Sequence, residues 1–298
     1  NDELLDEILS ISVKEDLADF QEGYWVDHWL YNSDLLERYL SVYPDKAEDI
    51  LIKDSSYTYY DNYEVVAPRH KKYVLTENGV RQFHAVTKVE EKERLIKERT
   101  LHPFKVRTQK GKGEVYNCNL LSKIVVLILN KIASLDPEGV GIEMEANKPG
   151  WCDALNGLPG ILGSSINESA AVKRLALLVK DTIVKNRIDA KVKLPEEALR
   201  FFNEVNRLLS SDVEPFEYWD KSYTAKEAYR EETLFGISGN EGELDINTVL
   251  SFLDNVVKKV DKGLEKALNK LDGVYYTYFI NEVTEYELLK DEKGNELK

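Results

Sequence analysis

The sequence predicts a mainly α-helical protein: an (α/α)₆ barrel or part of one, with long aromatic loops and a minor β element. Three observations lead there. Apolar residues recur at helical spacing through most of the chain, the primary signature of amphipathic helices. The segments between them are long and rich in Gly, Trp and Tyr, whereas a compact bundle joins its helices by short connections. Near the C-terminal end, one long segment alternates as a strand does. No fixed-period repeat and no Ser/Gly linker divides residues 1–298, which therefore read as a single mainly helical domain.

The elements follow in chain order. Residues 33–42 place Leu35, Leu36, Tyr39 and Leu40 on one face, and Pro44 stops that helix. Residues 57–75 are aromatic and β-branched around Pro68, which suits a short hairpin or an extended loop. Residues 90–99 are charged and helical in composition. Residues 117–133 are apolar on most sides, predicting a core helix capped near Asn117 or Asn119. Asn167 is placed to cap a helix over 168–186, where Ala171, Leu175, Leu178, Val179 and Ile183 recur at helical spacing. Pro195 suits the first turn of a helix over 196–209, and further helices are predicted over 224–234 and 245–271. Over 273–289, Val274, Tyr276, Tyr278 and Ile280 alternate, predicting a strand before a polar tail.

The formal charge is -14, from 54 acids against 40 bases. Such a surface argues against a nucleic-acid partner, because phosphate backbones call for a basic footprint. The longest apolar run, residues 124–129, is far short of a membrane span, so no membrane partner is expected. Two cysteines, Cys118 and Cys152, make neither a disulfide framework nor a zinc site, and free thiols suit a reducing cytoplasm. His84 and His102 lack metal-ligand spacing. No Gly-rich phosphate loop, nucleophile elbow or zinc motif is present, so no metal or organic cofactor is expected. The chain opens Asn-Asp-Glu-Leu-Leu, without an initiator methionine or signal peptide, and reads as a piece of a longer polypeptide.

The densest chemistry lies in residues 141–160, which hold three acids, two asparagines, a tryptophan and four glycines. Gly and Pro permit turns and close backbone approach, and long ordered loops are where binding and catalysis concentrate. Within it, Trp151-Cys152-Asp153-Ala154-Leu155-Asn156-Gly157 resembles the Trp-Asn-Asp-Gly-Met-Asn type of motif of cellobiose-phosphorylase-like enzymes. Cys152 and Ala154 depart from that pattern. The resemblance is sharp over residues 148–163 and faint elsewhere. It implies a catalytic domain with an (α/α)₆ barrel, in which loops at one end form the sugar pocket. It implies Asp153 as the general acid that protonates the glycosidic oxygen, with Trp151 and Asn156 beside the substrate. The competing reading makes Asp153 the cap of a helix begun at Ala154.

Glycoside cleavage with inversion needs that acid and a nucleophile on the far side of the anomeric carbon. A hydrolase adds a carboxylate base, about 6.5–9.5 Å from the acid, to activate water. A phosphorylase lets inorganic phosphate attack, as a co-substrate, without a base. Near neutral pH the acid needs a raised pKa, which an indole or a second carboxylate nearby supplies; Trp151 and Glu145 are the local candidates. Glu143 and Glu145 point to one face if their segment is extended, and either could bind sugar hydroxyls or act as a base. A solvated strand edge is the alternative.

Residues 21–32 form a second dense cluster. Trp25, Trp29 and Tyr31 offer flat faces for sugar rings, while Asp27, His28 and Asn32 offer directional hydrogen bonds. The plainer reading is a helix start with Trp25 and Trp29 in the core. A third group, residues 217–221, could form another wall, although Thr224 and Glu227 have the spacing of a capping box. Arg69, His70, Lys71 and Lys72 make a basic island that suits a solvated surface more than a phosphate site. The expectation is therefore a cytoplasmic carbohydrate-active enzyme, a glycoside phosphorylase or an inverting glycoside hydrolase, acting on an oligosaccharide or disaccharide through β-glucosidic bonds. A non-catalytic sugar-binding or scaffold segment is the reading from another class.

Overall fold

The computed structural model describes residues 2–12, 28–147, 155–290 and 293. Its α-helices are α1 (Asp2–Ile11), α2 (His28–Val42), α3 (Arg69–Lys72), α4 (Glu90–Lys97), α5 (Leu120–Ile132), α6 (Ile166–Asn186), α7 (Glu196–Leu209), α8 (Pro215–Glu232) and α9 (Ile246–Ala267). The strands are short. They are β1 (Tyr57–Thr58), β2 (Glu64–Val66), β3 (Tyr73–Thr76), β4 (Gly79–Gln82), β5 (Val86–Lys88), β6 (Asn117–Cys118), β7 (Ile142–Glu143), β8 (Gly163–Ser165), β9 (Lys191–Pro195), β10 (Glu241–Asp245) and β11 (Tyr278–Ile280). The protein is mainly α, with small antiparallel sheets.

The core is organised on α5, whose Leu121, Val125, Ile128, Leu129 and Ile132 are all buried. Asn119 is its cap, its Oδ1 accepting the Ser122 backbone N–H at 2.8 Å. That satisfies one of the donors a helix start leaves free. Around α5 the long helices pack in series: α6 lies along α9, α9 on α7, and α7 on α8, while α5 touches α6 and α7. Gly263 permits the close seat of α9 on the loop after α5, since a Cβ there would stand 2.2 Å from the Gly139 carbonyl oxygen.

Several boundaries differ from the sequence expectation. α6 is capped by Ser165, whose Oγ accepts the Glu168 N–H at 3.3 Å, and not by Asn167. Ser165 holds the extended backbone a cap needs because it ends β8, whereas Asn167 already lies in the first turn. α8 begins at Pro215 and not near Thr224, so Thr224 and Glu227 are interior and form no capping box. The strand expected over 273–289 is confined to β11, which pairs with β8. Residues 57–75 contain no single hairpin; β3 instead pairs with β4 across a two-residue turn, Glu77-Asn78. The β9–β10 ribbon was not expected, although Val192 and Leu194 are buried between exposed Lys191 and Lys193. Cys118 is a buried free thiol, and Cys152 lies outside the described residues. Among the described residues no helix is long and apolar enough to cross a membrane.

Candidate active site

Once α8 starts at Pro215, Trp219, Tyr223, Lys226 and Arg230 fall at intervals of four, three and four residues, along one stripe of the helix. That stripe faces two other pieces of chain. One is the single turn α3, which supplies Arg69 and Lys72. The other is the segment from β7 to Ala146, which supplies Glu143 and Glu145. Both carboxylates reach the stripe, as an extended segment with alternate residues on one face requires.

Glu143 Oε1 accepts the Trp219 indole N–H at 2.9 Å. Its backbone N–H donates to the Ser134 carbonyl at 2.8 Å. Its other oxygen, Oε2, is buried and has no hydrogen-bond partner among the described residues. Glu145 Oε1 accepts Arg230 Nη1 at 3.0 Å and lies 3.7 Å from Lys72 Nζ. Lys72 is fully buried and donates to the Tyr223 hydroxyl at 2.5 Å. Lys226, also buried, donates to Ser134 Oγ at 2.8 Å and stands 3.5 Å from the centre of the Tyr223 ring. Such a cation over an aromatic face gains electrostatically from the ring quadrupole.

The backbone that carries the two carboxylates is fixed from both sides. Buried Asp136 accepts the N–H groups of Val140 (2.8 Å) and Gly141 (3.2 Å) and the Ser164 hydroxyl (2.6 Å). Gln82 at the end of β4 donates to the Met144 carbonyl at 3.0 Å and accepts the Ala146 N–H at 2.6 Å. The turn Leu158–Ile161 packs on the same strand, and Gly163 accepts the Met144 N–H at 2.9 Å. Residues 144–146 and 158–161, on either side of the segment that holds Asp153, thus both lie against β4.

The two carboxyls differ in ionisation. Burial pushes Glu143 up to about 7, against the pull of Lys226, Lys72 and the Trp219 donor. Burial also opposes charge on Glu145, but Arg230, Lys72 and Lys226 together outweigh it and hold that carboxyl well below the usual range. Burial lowers Lys226 well below an ordinary lysine, with Arg230 repelling it, and burial likewise lowers Lys72. Glu143 therefore suits proton exchange near neutral pH, while Glu145 is an anchored anion.

Of the residues singled out from sequence, Trp25, Asp27, Trp151 and Asp153 lie outside the described residues. Asn156 is exposed in the turn that precedes Leu158–Ile161. His28 opens α2, its ring edge-on to Tyr31 at 6.2 Å. Trp29 packs against the main core, with Lys131 Nζ 5.1 Å from its ring centre. Lys131 is in the last turn of α5, and Ser134 follows three residues on, so Trp29 sits at the same end of α5 as Glu143. Lys72, expected on a solvated island, is buried; Trp219, Tyr223, Lys226 and Arg230 join the site without having been proposed for it as a set. Among the described residues no group of three or more His, Cys, Asp or Glu is arranged to hold a metal ion. No family model matches the chain, and no curated protein matches it.

Proposed function

We propose that this chain is a carbohydrate-active catalytic domain, part of an (α/α)₆ barrel, that cleaves or phosphorolyses β-glucosidic bonds with inversion, with Asp153 as general acid. The observation that carries the reading is the pair of unlike carboxyls, Glu143 and Glu145, eight to ten residues before Asp153 in the chain. Glu145 is held ionised by Arg230, and Glu143 titrates near neutral pH with one oxygen unclaimed among the described residues. Acid–base chemistry needs groups tuned apart in this way. The sugar class rests on the resemblance of residues 151–157, and the barrel on that resemblance together with long helices packed in series.

Phosphorolysis needs no carboxylate base. Hydrolysis is the second form of the reading, and the neutral-range titration of Glu143 favours it, since that carboxylate could activate water. Assaying β-linked glucose disaccharides with and without inorganic phosphate separates the two. Asp153→Asn should lower turnover of an unactivated glycoside by roughly 10²–10⁴-fold. A glycosyl fluoride should lose far less, because its leaving group needs little protonation. Equal losses on both substrates with an unchanged melting curve would remove Asp153 from the role of acid. No turnover of any such disaccharide under either condition would count against the enzyme reading itself.

A further inference from the structure

Arg69 makes no hydrogen bond or ion pair to either carboxyl of the pair among the described residues, yet it reaches three residues of α8, Asp220, Thr224 and Glu227. Its backbone N–H donates to Glu227 Oε1 at 2.5 Å, and its Nε and Nη2 reach Glu227 Oε2 at 3.3 Å each. Nη1 donates to Asp220 Oδ1 at 2.9 Å and Nη2 to Thr224 Oγ1 at 2.7 Å. The guanidinium carbon lies 5.1 Å from the Trp219 ring centre and 4.8 Å from that of Tyr223. Those two rings carry the indole N–H that serves Glu143 and the hydroxyl that serves Lys72. A planar five-donor fork can grip two carboxylates and cover aromatic faces at once, which a lysine cannot.

We propose that Arg69 is a positioning residue: it clamps α3 to α8 and fixes the two aromatic hydrogen-bonding groups that serve Glu143 and Lys72. Without the clamp the Trp219 indole is free to leave Glu143, and the ionised carboxylate loses a donor. The groups that act on Glu143 come from every neighbouring element. They are Lys72 from α3, Lys226, Trp219 and Tyr223 from α8, Tyr73 from β3, and Asp136 from the loop after α5. Arg69 works on it through Trp219 and, by way of Tyr223, through Lys72. The inference rests on Glu143 as the titrating carboxyl of the proposed site, and not on the sugar chemistry.

The test follows the indole N–H signals of ¹⁵N-labelled protein through a pH titration. The chain has four tryptophans, so the Trp219 signal is assigned by its loss in Trp219→Phe. In the unaltered protein that signal should move through one transition centred on about 7. In Arg69→Ala the transition should lose most of its amplitude. The Glu143 midpoint, read from its ¹³C-labelled carboxyl, should rise on the order of one pH unit, because a donor to the ionised form is gone. Arg69→Lys keeps the charge without the fork and should restore the transition only in part. It carries the same test should Arg69→Ala fail to fold. A residue that merely supported the fold would lower the melting temperature and leave the indole transition as it was; that outcome in a folded variant overturns the clamp. Absence of any transition in the unaltered protein would instead sink the reading of Glu143.

Discussion

Replacing Glu143 by Gln should make the protein more stable at alkaline pH, and much less so in acid. The free carboxyl has an ordinary value of 4.5 and the folded one titrates near 7. The folded state therefore holds the proton over that window while the unfolded state has already released it. Stability falls as pH rises from the unfolded value to the folded one, and the loss is complete above it. A gap of about 2.5 pKa units at 1.36 kcal/mol per unit amounts to about 3 kcal/mol at pH values near 8, but only about 1 kcal/mol near pH 5. Gln mimics the protonated acid in shape. Its carbonyl can still accept the Trp219 N–H, so the variant escapes most of this cost. For a chain of this length, 3 kcal/mol corresponds to a melting-temperature gain of roughly 5–10 °C. Calorimetric melting of both proteins across that range measures it. A variant that is equally or less stable at pH 8, with the same difference at pH 5, would refute the claim that Glu143 is ionised there at a cost.

The neighbouring groups give opposite signs. Arg230→Ala leaves Glu145 with Lys72 at 3.7 Å and the weaker pull of Lys226, and should cost about 2–4 kcal/mol in chemical denaturation at neutral pH, discounted for the partial exposure of the pair. Because the Glu145 pKa is held below 4.5 in the fold, its stabilisation exists above that value and is lost as pH falls, so the penalty of Arg230→Ala should shrink in acid. Gly263→Ala should cost about 2 kcal/mol or more, since its Cβ would meet the Gly139 carbonyl oxygen at 2.2 Å and backbone must move. An unchanged denaturation midpoint would mean that α9 does not seat as closely on that loop as described.

The helices were legible where one face is apolar and the ends are marked. α5, with its Asn119 cap, and α7, entered through Pro195, follow from periodicity and capping chemistry alone. α8 was misread at its start because Phe216, Trp219 and Tyr223 mix with Glu217, Asp220 and Lys221, which blurs the apolar stripe. The stripe that matters there is polar. Lys226 and Arg230 gain their partners only where α3 and the Glu143 segment lie against them. The spacing of Trp219, Tyr223, Lys226 and Arg230 was available as a signal, but only to a reader who began the helix at Pro215. The pairing of Glu143 and Glu145 on one side of an extended segment was visible because it depends on two-residue alternation, a local property. Which of the two would be the protonatable one was not, because Arg230 lies 85 residues from Glu145 in the chain. The β9–β10 ribbon was hidden for the same reason: α7 and α8 separate its two strands in the chain.

Two other buried carboxylates sharpen what distinguishes the site. Asp61 has both oxygens taken, by Lys92 at 2.7 Å and Arg99 at 2.8 Å, and Arg99 extends the staple to the carbonyls of Pro103 and Lys105. Glu197 leaves Oε2 without a partner among the described residues, but its Oε1 takes Lys110 at 3.1 Å and the Ser238 N–H at 2.7 Å. Against burial, its own backbone N–H, that of Ser238 and the Lys110 ammonium hold Glu197 below the ordinary carboxylate value. In both, donors claim the carboxylate: two cations at Asp61, a cation and a backbone N–H at Glu197. Glu143 combines an oxygen unclaimed among the described residues with a proton it holds only loosely at neutral pH. Apolar residues would fill that space at no electrostatic cost, since buried ions seldom repay their desolvation. Where local rules are broken at a cost in stability, function is the expected reason, and here the cost falls on a carboxyl poised to give and take a proton near neutral pH.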